Sequence, residues 1–147
     1  MNAQHNPEAS LPNPDDEARI LEARVSEALD RARQGGAEQA EITASMQGGL
    51  NVTARLGAVE TIEHTRDRGL SVTVYIKQAK GHASSADLSD DSLRDSVERA
   101  LDIARFTAAD RCNGLADPER MATSFPDLDL WHPAPLDADA AIERALR

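Results

Sequence analysis

Aromatic side chains make up only 3% of this 147-residue chain, so its core has to be built from Leu, Val, Ile and many Ala. The single cysteine, Cys112, excludes an internal disulfide and predicts a reducing compartment. No apolar run approaches the roughly 20 residues that a membrane-spanning helix requires. The opening stretch, MNAQHNPEASLPNPDDE, has neither the basic start nor the apolar segment of a secretion signal. Together these absences predict a cytoplasmic protein. Positive charge is also short, the net charge being −10. Such a surface repels phosphate backbones and anionic lipid, because binding them needs clustered Lys and Arg. Neither nucleic acid nor a membrane is expected as a direct partner.

What the chain does have is alternation. In Arg66 to Ser89, Leu70, Val72, Val74 and Ile76 fall on one face, and Ser71, Thr73, Tyr75 and Lys77 on the other. A period of two is the signature of a half-buried strand. A turn at Gln78-Ala79 and a second extended run from Lys80 to Ala86 follow, and Ser89 caps a helix with Asp90 and Asp91 in its first turn. Upstream, Ala40, Ile42, Ala44 and Met46 alternate with polar neighbours, and Leu50, Val52, Ala54 and Leu56 repeat the pattern. Gly48-Gly49 between them reads as a two-residue hairpin turn. Gly57-Ala58 reads as the next turn, and Arg66-Asp67-Arg68-Gly69 as another. Val59 to Thr65 becomes an edge strand blunted by Glu60, Glu63 and Arg66.

Helical periodicity appears twice in strength. Asp15 or Asp16 opens a helix to about Gln34, closed by Gly35-Gly36, and a second runs from Asp90 to about Thr107. The expected fold is α+β, a two-layer domain with an antiparallel sheet of four to five strands packed on two main helices. Residues 1–14 read as a disordered leader and 15–109 as the domain. Residues 110–136 form an irregular, Pro-rich C-terminal connector with one short helical turn at Pro118 to Ala122. In the connector Trp131 reads as an anchor. Asp137 caps a helix over 137–147 that reads as cut in mid-element.

Chemistry is sparse. His5, His64, His82 and His132 show no ligand spacing, so no metal is expected on this chain. Ser84 and Ser85 stand near His82 and Asp87, yet no nucleophile elbow surrounds them, and a strand end leading to a helix cap accounts for small hydroxyl residues. Cys112 reads as an idle thiol. Dispersed glycines form no phosphate-cradling loop. The candidate site residues are therefore those of a recognition surface. Glu60, Ile62 and His64 lie on the edge strand, where an extended peptide can add by strand pairing. Ser71, Thr73 and Tyr75 lie on the polar face, as cleft lining or as solvated sheet.

The run ETIEHTRDRGLSVTVYIKQAKGHASSADLSDDSLRDSVERALDIARFTAAD, followed by GLADPERMA and DLDLWHP, resembles the N-terminal domain of the TldD/PmbA family, nearer the PmbA (TldE) branch. The resemblance covers Glu17 to Arg147. It rests most on the R-D-x-G-L-x-V-x-V-Y strand and the G-x-A-S-[ST]-x-D-L-S turn into a helix. It implies a cytoplasmic, heterodimeric zinc metalloprotease acting on peptides and unfolded segments, also known as a modulator of DNA gyrase. It further implies that the TldD-type partner subunit holds the zinc and that none is bound by this chain. A β-rich C-terminal domain would follow the connector in the longer family members. No family catalytic residue maps onto a position here, so the implied role is assembly or substrate guidance. The rival reading is a free-standing acidic interaction module without proteolysis.

Overall fold

The computed structural model describes residues 14–132 and 137–147. Apart from Pro14, the leader expected over residues 1–14 lies outside the described residues, as do His5, Pro133 and Pro135. The elements in order are α1 (Pro14–Gln34), β1 (Gln39–Arg55), β2 (Ala58–Ile76), β3 (Ala79–Ser85), α2 (Asp90–Phe106), a 3-10 turn (Pro118–Arg120) and α3 (Ala138–Ala145). The strands form one antiparallel sheet in the order β1-β2-β3, with α1 and α2 packed on one side. The two-layer α+β expectation holds.

The strand count does not: the sheet has three strands, not four to five. Gly48-Gly49 is no hairpin; β1 runs straight through it, with Gly48 opposite Arg66 and Gly49 opposite Thr65. Parity explains why. Residues paired across a two-residue hairpin share a face, so a turn at 48–49 would send Leu50, Val52 and Ala54 to the face opposite Ala40, Ile42, Ala44 and Met46. A continuous strand keeps all seven on one face, and all seven are half-buried. The turn expected at Arg66 to Gly69 is likewise continuous strand, because Ser45 to Gly48 pair with these four residues. The turn expected at Gly57-Ala58 is present one residue earlier, at Leu56-Gly57, with Arg55 opposite Ala58. It is a two-residue connection in which Leu56 and Gly57 both take positive φ, 53° and 77°, the combination whose twist matches flanking strands. The second hairpin sits one residue earlier than expected, with Lys77 and Gln78 at φ 48° and 64°.

The core is aliphatic, as the composition requires. Leu70, Val72 and Val74 of β2 meet Leu93, Val97, Ala100, Leu101 and Ala104 of α2 and Ala28 and Ala32 of α1. Full burial of each larger side chain stabilises by about 1.5–3 kcal/mol. The helix α2 lies against β3 at Gly81, where a Cβ would fall 1.9 Å from the Ala100 carbonyl oxygen. Only glycine permits that approach. At its C-terminus α1 closes with the Gly36 N–H donating to Arg33 O and the Ala37 N–H to Ala32 O, Gly36 at φ 94°. This double bond pattern satisfies carbonyls that the helix leaves open.

The strand-to-helix turn is a capping network. The Ser89 hydroxyl accepts from Ser92 N at 3.3 Å and donates to Asp87 Oδ2 at 2.5 Å. Asp87 Oδ1 accepts from Ser89 N, and Ser85 Oγ accepts from Asp87 N, each at 3.0 Å. Asp137 caps α3 in the same way by accepting from Asp139 N. The connector crosses the end of the sheet, where Gln78 O accepts from Asp110 N and from Asn113 Nδ2. Trp131 is 52% exposed and so does not anchor it in this core.

Candidate functional site

The three strands differ in length, and that difference makes the site. β3 has 7 residues and ends with Ser85 opposite Leu70, while β2 has 19 and extends on to Ala58. From Gly69 to Ala58, β2 therefore has β1 on one side and no strand on the other among the described residues. The result is a two-stranded ribbon, roughly 40 Å long at 3.3–3.4 Å per residue. Every residue of β2 from Ala58 to Arg68 is exposed. The expected edge of Val59 to Thr65 is thus present, although β2 is the middle strand by order.

Side chains along the ribbon are sorted by parity. Leu50 opposite His64, Val52 opposite Ile62, and Met46 opposite Arg68 share the helix-side face with Leu70 and Val72. Near the tip the register shifts by one residue between Thr53 and Ala54, leaving Glu60 as the extra residue of a bulge. That insertion puts Val59 opposite Ala54. The helix α3 packs mainly against β1, with Ala138, Ala141 and Ile142 half-buried. Ile62 stays 48% exposed.

The six candidate residues do not converge. Glu60, Ile62 and His64 lie on the ribbon, Ile62 and His64 on its helix-side face. Ser71, Thr73 and Tyr75 lie on the opposite face of the three-stranded part, about 36 Å from Ile62 along the strand in the case of Thr73. Thr73 and Tyr75 are buried, each at 8% exposure, and Ser71 is half-buried. Thr73 Oγ1 lies 3.1 Å from His82 Nδ1, with Glu41 opposite on β1. His82 is exposed, with this ring nitrogen within hydrogen-bond distance of Thr73. Ser84 faces Ser71, whereas Ser85 Oγ lies 2.6 Å from Ser92 Oγ inside the capping network. Among the described residues neither serine has a histidine hydrogen-bond partner. The Asp87 carboxyl is held below its ordinary value, first by the Ser89 hydroxyl and then by the Ser89 N–H, with Arg68 adding to the effect. Cys112 is exposed.

Sequence reasoning took Arg66 only as a charge blunting the edge strand and passed over Arg68, because it placed both in a turn. The signal was present in the sign of charge: His64, Arg66 and Arg68 recur at even positions, Glu63 and Asp67 at odd ones. Charge alternation at period two is as much a strand signature as apolar alternation. Among the described residues no three His, Cys, Asp or Glu side chains cluster as metal ligands, so they do not fit a zinc ion. No described helix is long and apolar enough to cross a membrane.

Residues 40–104 match the family model of PmbA/TldA metallopeptidase domain 1. The chain is 47% identical over 129 residues to Metalloprotease PmbA of Escherichia coli O157:H7, covering 88% of this chain and 28% of that protein. It is 45% identical over 127 residues to a Metalloprotease PmbA homolog of Haemophilus influenzae, covering 86% of this chain and 28% of the relative. The chain therefore spans little more than a quarter of the curated relatives it matches. Among solved structures, a proposed modulator of DNA gyrase from Bacteroides thetaiotaomicron superposes with a TM-score of 0.65 at 23% identity, over 72% of this chain and 24% of that one. TldE from Thermococcus kodakarensis superposes at 0.61 and 13% identity, over 86% of this chain and 27% of that one. These two likenesses concern the fold. Sequence and fold together lead to one assignment: the chain belongs to the PmbA/TldD metalloprotease family and carries its first domain.

Proposed function

We propose that this chain is the first domain of a PmbA/TldE-type subunit of a zinc metalloprotease, non-catalytic in itself, which guides extended peptides or unfolded segments to a TldD-type partner. The zinc belongs to that partner in this reading, and the complex works in the cytoplasm without direct contact to nucleic acid or membrane. The observation that carries it is the free edge of β2 from Ala58 to Gly69. Such an edge offers unpaired backbone N–H and C=O groups, and an extended peptide satisfies them by adding a strand. Backbone pairing is largely indifferent to side chains, which suits a protease that takes many unfolded segments. The family relationship supplies the proteolytic context.

The test is co-expression of the full-length subunit with a TldD-type protein, followed by co-purification and zinc-dependent peptide cleavage. A complex that cleaves is expected, with cleavage falling and the complex persisting when the β2 edge is blocked by His64→Pro, a position whose N–H points away from β1. Absence of any complex would leave the interaction-module reading in its place.

A further inference from the structure

Resting on that reading, we infer that the free edge of β2 selects extended segments in which acidic and basic residues alternate, the acidic ones facing the helices. β3 stops opposite Leu70, so a strand added beside Gly69 to Ala58 continues the line of β3. All strand pairs in this sheet are antiparallel, and an added strand in that direction meets Arg68 first and Thr61 last. Residues directly opposite in an antiparallel pair share a face. On the helix-side face the new strand meets Arg68, Arg66, His64 and Ile62, and on the outer face Asp67, Thr65, Glu63 and Thr61.

The charges are thus separated by face. The positions opposite Arg68 and Arg66 favour carboxylates, those opposite Asp67 and Glu63 favour Lys or Arg, and the one opposite Ile62 favours an apolar side chain. The neighbouring β1 residues Gln47, Gly48, Gly49 and Asn51 are uncharged, so the pattern is that of β2 alone. Bulk attraction does not produce it. From Arg55 to Gly69 three arginines stand against three carboxylates, in a chain of net charge −10. Both arginines already draw carboxylates of this chain. Glu17 Oε1 approaches Arg66 Nη2 at 3.9 Å, with the Arg66 side chain 68% exposed and open to a further partner. Arg68 acts on Asp87, at the turn where the free edge begins.

The experiment titrates the full chain with three capped octapeptides, followed by amide chemical shifts and by exchange protection along β2. The first is Glu-Lys-Glu-Thr-Glu-Lys-Val-Thr; the second exchanges its Glu and Lys residues; the third has the first one's composition with charges in blocks. The first should bind about tenfold tighter than either other, given two to four favourable cross-strand pairs, and should protect amides between Ala58 and Gly69. The second is the more cationic, so a preference driven by net charge runs the other way. Reversing the edge with Arg66→Glu, Arg68→Glu, Glu63→Lys and Asp67→Lys should transfer the preference to the second peptide. If that variant does not fold, the three-peptide comparison on the natural chain decides alone. Equal binding of all three with protection of the edge overturns the inference while leaving substrate guidance standing. No binding and no protection by any of them overturns both.

Discussion

Replacing Gly81 by alanine tests the central packing of the domain. A Cβ at this position would lie 1.9 Å from Ala100 O and 2.6 Å from Ala104 N. Both are backbone atoms of α2, so no rotamer change relieves the clash. The helix would have to retreat by roughly 1.5 Å to restore ordinary van der Waals separation. A gap of that size forfeits about half of the dispersion contact that its buried face makes. Leu93, Val97 and Leu101 are the large side chains concerned. At about 2 kcal/mol of burial each, half of the sum is about 3 kcal/mol, at the upper end of measured overpacking costs. For a domain of this size that corresponds to a fall in Tm of roughly 12–24 °C. Urea denaturation followed by circular dichroism measures it. Gly48→Ala is the control: its Cβ would meet only Thr65 O, at 3.8 Å, and should change stability by less than about 0.5 kcal/mol. A Gly81→Ala chain within 1 kcal/mol of the parent, estimated on the same scale, would refute the claim that β3 and α2 touch through this glycine.

Other perturbations probe the turns and the ribbon. Ser89→Ala removes the acceptor for Ser92 N and should cost about 1 kcal/mol in chemical denaturation. Asp87 titrates below its ordinary value in the folded chain, so its contribution is present above the unfolded carboxyl pKa and is lost as pH falls through the depressed folded pKa. Parent and Asp87→Ala should therefore differ in midpoint at neutral pH and converge in strong acid; a gap unchanged by pH would contradict this. Gln78→Gly relieves a left-handed conformation at φ 64° and should raise stability by about 1 kcal/mol, since the bonds made there use only its carbonyl oxygen. Ribbon amides from Thr61 to Arg68 should exchange with solvent well before those of Leu70 to Val74, because the latter pair on both sides and lie over the core.

The sequence by itself determined the element types, the apolar faces that meet in the core and the caps of α2 and α3. Even-numbered apolar residues from Ala40 to Ile76, the helical spacing of Leu93, Val97, Ala100, Leu101 and Ala104, and Ser89 as N-cap are local features, and local physics suffices for them. Resemblance to a known family added a function class that no side-chain cluster among the described residues displays. Tertiary structure decided how many strands there are. A Gly-Gly pair serves a turn or a straight strand equally well, and the choice lay with the opposite strand, which pairs across both glycines so that one face stays apolar. The same pairing turned Arg66 and Arg68 from turn residues into one row of a charged edge. It also separated the six candidate residues into two places, because distance along a strand, unlike alternation across it, depends on where the partner strands stop.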